Sequence, residues 1–223
     1  IMPSLVGSEM CIRDRSMGEG YGPMVVALKG VTKEEAKANI IAIPGYKTSA
    51  YMGIKLCWGD SNYEVVPFDE IIPRILDGTY KSGLIIHEGQ LTYAEHDLDV
   101  LVDLGIWWNE KTGGLPMPLG GNVVRRDLGR EMMEDITMYT KMSIEHSISN
   151  PDEALEFAKK WGRGIDDATN REFVTMYVND RTIDYKKEGR DSIRQFLKEG
   201  QRIGLIDSNF DVDGLKFIGS PEE

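Results

Sequence analysis

Short apolar runs alternate with helical segments in the first half of the chain, and this alternation restricts the fold more than any other feature. Runs typical of buried strands occupy residues 40–43, 64–67 and 83–86, and stretches with helical spacing separate them at 48–56 and 70–76. Strands that alternate with helices in this way indicate a parallel sheet with helices packed against it. The sequence therefore predicts an α/β fold with a helix-flanked sheet.

The connection after the first of these strands places polar groups at a predicted helix start. Thr48 or Ser49 can cap this helix, and the first backbone N–H groups of a helix have no partner inside it. The helix dipole and these donors favour an anion, and Lys47 adds a positive charge beside them. A Thr or Ser in this place is also common as a plain helix cap, so both interpretations remain open.

The strand at 83–86 ends on His87 and Glu88. Open α/β sheets bind ligands at the carboxyl ends of their strands, and histidine is the side chain best suited to exchanging protons near neutral pH. Because the loops after residues 43 and 86 would open at the same edge of a parallel sheet, we expect His87 and the helix start to face one cleft. The alternative is a hydrogen-bonded histidine at the sheet edge, with Glu88 either orienting it or facing solvent.

Composition excludes several classes of partner. A formal net charge of -11 argues against nucleic acid and against an anionic membrane surface, but a few local donors still suffice for a small anionic ligand. No apolar stretch approaches the roughly 18 residues that a membrane span needs. Two cysteines and three histidines show no metal-ligand spacing. We expect a small-molecule ligand and no metal.

Common catalytic motifs are missing from the sequence. Position 91 is Leu91, so His87 and Glu88 do not begin an H-E-x-x-H zinc motif, and neither G-x-S-x-G nor a Walker A motif occurs. Arg125 and Arg126 have the chemistry to bind a carboxylate, although two arginines at a strand end are usually a solvated corner. Tyr93, Trp107 and Trp108 have the chemistry to form an aromatic wall for a flat ligand, but burial against a helix layer is the favoured interpretation.

Two further stretches receive structural interpretations. The glycine-rich turn at 18–23 favours a tight connection over a ligand-facing loop, because position 23 is Pro23 and the order is turn then strand. Methionine and aromatic residues at helical spacing between Met132 and Ile144 predict a face packed in the core.

Several sequence blocks together resemble a known enzyme family. The blocks are SMGEGYGP at 16–23, AIPGYKTSAY at 42–51, PFDEI at 67–71, GLIIHEGQLTYA at 83–94, VDLGIWWNEKTGGLPMPLGGNVVRRDLG at 102–129 and FVTMYVNDRTIDYKKEGR at 173–190. They are similar, in the same order, to the 1,4-dihydroxy-6-naphthoate synthases of the futalosine route to menaquinone. The resemblance runs from about Ser16 to Ile206.

The resemblance implies a fold, a reaction and a set of site residues. The fold is the periplasmic-binding-protein type II fold, with two α/β lobes around a cleft and no metal or organic cofactor. The reaction is the conversion of cyclic dehypoxanthine futalosine to 1,4-dihydroxy-6-naphthoate, a carbon–carbon lyase reaction in the cytoplasm. The family's proposed base falls on His87, its acid-binding turn on Thr48, Ser49 and Ala50, and its serine before the glycine-rich loop on Ser16.

The resemblance also implies a division of the chain. Residues 1–15 resemble translated sequencing-adapter read-through and are expected to be non-native. Residues 31–119 are predicted to form the second lobe, and residues 16–30 with 120–223 the remainder of the first. Family members start with a further strand–helix–strand portion that is missing here, so we expect the first lobe to be incomplete.

Two other functions fit parts of the same pattern. A non-catalytic solute-binding protein of the same fold would carry an export signal and would bind its ligand without needing His87. Chorismate dehydratase is the other alternative, although the HEGQLTY block fits it poorly. The sequence does not predict the oligomeric state.

Overall fold

A mixed five-stranded sheet forms the centre of the molecule. The computed structural model describes residues 10–86, 89–159, 171 and 174–219. The sheet has the order β4-β3-β5-β2-β6. Its strands are β2 (Met24–Leu28), β3 (Ile40–Ile43), β4 (Asn62–Val65), β5 (Ser82–Ile85) and β6 (Leu98–Asp103).

Strand direction divides this sheet into two parts. β3 pairs in parallel with both β4 and β5, which confirms the predicted parallel arrangement between residues 40 and 86. β2 lies between β5 and β6 and runs antiparallel to both. The carboxyl ends of β3 and β5 therefore meet at one edge of the sheet.

Helices cover both faces of the sheet. They are α1 (Lys33–Ala38), α2 (Ser49–Trp58), α3 (Ile71–Leu76), α4 (Gly89–Thr92) and α5 (Leu104–Thr112). Side chains alternate along β3, so Ile41 and Ile43 join the cluster that includes Ile54 of α2, whereas Ala42 packs on the other face with Ile75 of α3. Burial on both faces explains why β3 and β5 read as continuous apolar runs. β4 lies at the sheet edge and is mostly exposed, so the prediction of a buried strand there was wrong.

A separate two-stranded antiparallel ribbon consists of β1 (Met10–Gly18) and β7 (Met117–Arg125). Residues 117–119 belong to β7 although Pro116 and Pro118 stand in this stretch. Pro118 pairs with Met17 inside the ribbon. A proline cannot donate to a central ladder, but β7 has a partner on one side only, so the missing N–H is tolerated.

Helices follow the ribbon as far as Arg202. They are α6 (Arg130–Ser149), α7 (Pro151–Lys159), α8 (Asp180–Ile183) and α9 (Lys186–Arg202). α9 packs on the central cluster through Phe196 and Leu197. Trp108 of α5 is fully buried there, stacks edge-on against Phe196 and donates its Nε1–H to Ser192 Oγ at 2.9 Å, which confirms its predicted burial. The sequence pattern also predicts a helix at 171–178, which lies partly outside the described residues.

The apolar face of α6 is not in the core. Met132, Ile136, Tyr139 and Met142 are between 39% and 64% exposed, so the predicted core packing of this stripe was wrong. Helical spacing shows that residues share a face, but it does not show whether another element covers that face. Thr137 is the residue of α6 that is buried.

The start of α5 is packed tightly against the glycine-rich turn. A Cβ at Gly105 would lie 2.0 Å from the Tyr21 carbonyl oxygen, and one at Gly22 would lie 2.6 Å from the Gly105 nitrogen, so both positions require glycine. Asp103 caps α5 by accepting from the N–H groups of Gly105 at 2.8 Å and Ile106 at 3.1 Å. These contacts agree with the predicted tight connection at 18–23.

The two-lobe division stays a prediction. β2 comes from the segment assigned by sequence to the first lobe, and it lies inside the sheet formed by residues 40–103. Within the described part of the chain, no helix is long and apolar enough to cross a membrane. Residues 1–9 lie outside the described ranges.

Candidate functional site

The start of α2 has the predicted capping geometry. Thr48 adopts an extended backbone, and its Oγ1 accepts a hydrogen bond from Tyr51 N at 3.0 Å. The Thr48 hydroxyl donates to the Gly45 carbonyl at 2.8 Å. Thr48 therefore acts as a cap, and its hydroxyl bonds hold the helix start in place.

Ser49 and Ala50 occupy the first two positions of α2. Their backbone N–H groups have no acceptor within the helix. The bonded N–H groups begin with Tyr51, which donates to Thr48 Oγ1, and Met52, which donates to the Thr48 carbonyl at 3.2 Å. The Ser49 hydroxyl donates to the Leu119 carbonyl at 2.7 Å, which ties the helix start to β7. Ala50 is 2% exposed, so its small side chain packs inward.

Ser16 lies in an irregular part of the ribbon. It pairs with Gly120, and the register shifts on both sides of it, which is typical of a β-bulge that re-aims a side chain. Ser16 is 8% exposed, and its Oγ is buried without a hydrogen-bond partner. A buried hydroxyl without a partner is uncommon and marks a place where a ligand or water can bond.

Two consecutive residues of β7 bring Ser16 and Ser49 together. The Leu119 carbonyl accepts the Ser49 hydroxyl bond, and Gly120 is the residue opposite Ser16. The Gly120 carbonyl accepts from the Tyr185 hydroxyl at 2.9 Å, so this backbone segment is held from α2 and from the C-terminal helices. The sequence did not predict this role of Tyr185, because Tyr185 is 65 residues away from Gly120.

An open cavity of about 850 Å³ adjoins this segment, and we call it the β7–α6 cavity. The ribbon contributes Ser16, Leu119 and Asn122, and α6 contributes Tyr139, Ser143 and Ile144, while residues 177–182 close a third side. Its volume falls in the range of small-molecule sites. Sequence reasoning missed the α6 wall, although the i,i+4 spacing of the Tyr139 and Ser143 hydroxyls was a visible sign of a shared polar face.

His87 and Glu88 lie outside the described residues. Ile85 ends β5, and Gly89 begins α4 on the other side of the pair. Gln90 in the same sequence block is 4% exposed, and both atoms of its side-chain amide are buried without a partner. The placement of His87 beside Ser49 stays a prediction, supported by the shared edge at which β3 and β5 end.

The charged residues near β7 are solvated. Arg125 Nε donates to the Asp127 carboxylate at 2.9 Å, and this hydrogen bond holds the pKa of Asp127 below its usual range. Both side chains are more than half exposed, which agrees with a solvated corner. His96 and His146 are exposed. No cluster of three His, Cys, Asp or Glu side chains able to hold a metal occurs among the residues described.

The architecture is that of the periplasmic binding proteins. The alkanesulfonate-binding protein SsuA of Xanthomonas axonopodis pv. citri has a TM-score of 0.67 to this chain at 10% identity, covering 95% of this chain and 76% of that one. Similarity at this level of identity defines the fold, and it confirms the predicted periplasmic-binding-protein-like α/β class.

Sequence comparison identifies the family within this fold. A crystal structure of a protein from Archaeoglobus fulgidus has a TM-score of 0.83 and 38% identity, covering 91% of this chain and 76% of that one. The 1,4-dihydroxy-6-naphthoate synthase of Thermus thermophilus is 34% identical over 190 residues, which are 85% of this chain and 69% of that enzyme. The profile of a family described as menaquinone biosynthesis matches residues 9–202. The chain belongs to this family of menaquinone-biosynthesis enzymes.

Proposed function

We propose that the chain converts cyclic dehypoxanthine futalosine to 1,4-dihydroxy-6-naphthoate, a carbon–carbon lyase reaction. Membership of the menaquinone-biosynthesis family supports the pathway. The observation that supports the assignment of the site is the junction at Leu119 and Gly120. Leu119 accepts the hydrogen bond from Ser49, and Gly120 pairs with Ser16, whose hydroxyl is buried without a partner. The cytoplasm is the compartment that this reaction implies.

The helix start suits an anionic group of the substrate. The N–H groups of Ser49 and Ala50 and the dipole of the ten-residue helix α2 favour a carboxylate or an oxyanion. Thr48 and Leu119 hold these donors in place before the ligand arrives, and preorganised donors stabilise developing negative charge more effectively than solvent does. In this proposal Thr48, Ser49, Ala50 and Ser16 bind the substrate.

His87 is proposed as the general base. A neutral imidazole at the end of β5 can remove a proton from the substrate while the α2 donors hold the resulting negative charge. The rate should therefore rise with pH as the imidazole loses its proton. No charged donor is needed for this step, because the helix start supplies neutral N–H groups.

The test is to incubate the chain with cyclic dehypoxanthine futalosine and to measure 1,4-dihydroxy-6-naphthoate by mass spectrometry. We expect product from the wild type and from the matched control His96→Asn, since His96 is exposed. We expect His87→Asn to lose about 100-fold or more in rate, the usual contribution of a general base. Substrate binding without any product from the wild type would refute the activity and favour a solute-binding protein. Undiminished product from His87→Asn would refute the base assignment alone.

A further inference from the structure

The β7–α6 cavity and the start of α2 are chemically different surfaces, and Leu119 contacts both. Among the described residues that line it, none carries a charged side chain. Leu119 and Ile144 supply apolar surface, and Ser16, Tyr139 and Ser143 supply hydroxyl groups. A wall of this kind suits an uncharged ring with hydroxyl substituents better than a carboxylate, because apolar surface would desolvate the anion without compensation.

Ser16 supplies an unused polar group on the ribbon side. Its Oγ is buried, lines the cavity and has no hydrogen-bond partner. Helix α6 supplies the Tyr139 and Ser143 hydroxyls from the other side, one helical turn apart and therefore on one face. Thr140, which also lines the cavity, already donates to the Ile136 carbonyl at 2.7 Å.

The two kinds of surface meet at Leu119. This residue lines the cavity with Ser16, and its carbonyl accepts the hydrogen bond from Ser49 at the start of α2. The cavity and the start of α2 are thus joined through one residue of β7. The volume of about 850 Å³ leaves room for a bicyclic ring.

We infer that the β7–α6 cavity binds the uncharged, hydroxyl-bearing ring of the ligand, with Ser16, Tyr139 and Ser143 as its hydrogen-bonding residues. The anionic group of the same ligand lies at the start of α2. This inference rests on the proposed function for the identity of the ligand, but its test measures binding and needs no turnover.

The test compares two probes that differ only in their hydroxyl groups. 1,4-Dihydroxy-6-naphthoate and 2-naphthoate share the ring and the carboxylate, and their affinities are measured by anaerobic isothermal titration calorimetry with the full chain. We expect the wild type to bind the dihydroxy probe more tightly. Three substitutions, Ser16→Ala, Ser143→Ala and Tyr139→Phe, should each lower the affinity for that probe about three- to tenfold, which corresponds to the loss of one hydrogen bond. Each should change the affinity for 2-naphthoate less than about twofold.

Ser147→Ala is the matched control, because Ser147 lies one turn after Ser143 on α6 and does not line the cavity. It should leave both affinities unchanged. Tyr139 and Ser143 are exposed on a helix, so their variants should keep the fold, which circular dichroism verifies. Equal affinity of the wild type for both probes would overturn the inference. So would variants that lower the affinities for both probes equally, or that lower neither affinity. If the chain prefers the dihydroxy probe but gives no product from the substrate, only the proposed activity is overturned. If it gives product but does not prefer the dihydroxy probe, only the assignment of the cavity is overturned.

Discussion

The hydroxyl of Ser49 donates a hydrogen bond to the carbonyl oxygen of Leu119 at 2.7 Å. This bond joins the first residue of α2 to the middle of β7, 70 residues further along the chain. It sets the distance between the two surfaces that we assign to the ligand.

Ser49→Ala should lower the free energy of unfolding by about 1 kcal/mol, because the half-buried Leu119 carbonyl loses its side-chain donor. Urea unfolding measures the change. Ser147→Ala is the control, since Ser147 donates to the Ser143 carbonyl at 2.8 Å on an exposed helix face. The control should change the free energy by less than about 0.5 kcal/mol. Equal effects of the two substitutions would show that the Ser49 bond does not stabilise the fold.

Ser16→Ala should leave the free energy of unfolding unchanged or raise it by about 1 kcal/mol, because the lost hydroxyl is buried without a partner. Ser192→Ala is the contrasting variant. Ser192 is fully buried, donates to the Pro116 carbonyl at 2.6 Å and accepts from Trp108, so its loss should cost roughly 2 kcal/mol or more. A comparable loss for both serines in urea unfolding would mean that Ser16 is bonded in the folded protein.

Asp103→Asn should change how stability depends on pH. Burial raises the pKa of Asp103, and the hydrogen bonds from Ile106, Gly105 and Gly22 only partly offset this. An acid with a raised pKa in the fold contributes stability below the ordinary aspartate pKa of about 3.9 and loses it as pH rises through the folded value. The free energy of unfolding of the wild type should therefore fall relative to that of Asp103→Asn between about pH 3 and 7. Urea unfolding at a series of pH values measures the difference.

Asp127→Asn should give the opposite slope in the same series. The Arg125 hydrogen bond holds the pKa of Asp127 below its usual range, so that group contributes stability above the ordinary pKa and loses it as pH falls. Parallel slopes for the two variants would contradict both assignments. The opposite signs also separate these local effects from the general acid response of the chain.

Features governed by near neighbours in the sequence were predictable. The Thr48 cap, the parallel strands β3, β4 and β5 and the buried Trp108 all follow from local spacing and side-chain chemistry. The position of β2 was not predictable, because its partners lie about 60 and 75 residues away and apolar content does not specify strand direction. The sequence pattern therefore did not predict that β2 lies between β5 and β6 and runs antiparallel to both.

The candidate site was predictable in its parts and not in its assembly. The helix start was visible from cap chemistry, whereas Ser16 was found through a family resemblance and has no local pattern of its own. The α6 face was assigned to the core because apolar spacing carries no information about what covers it, and the Tyr139 and Ser143 side of the cavity was missed for the same reason. Long-range packing, and not side-chain type, brings these groups together.

The place of β2 between β5 and β6 has a consequence for how the molecule forms. β2 occupies residues 24–28, yet its hydrogen-bonding partners are residues 82–85 and 98–103. During synthesis this strand is made early and must remain unpaired until β5, the first of its two partners in the chain, is available. Closing loops of this length before any ladder forms is the slow step expected for non-local strand pairing. We therefore expect β3 and β4 to associate first, β2 to join the sheet only after β5, and β6 to follow, because β2 is the strand with which β6 pairs.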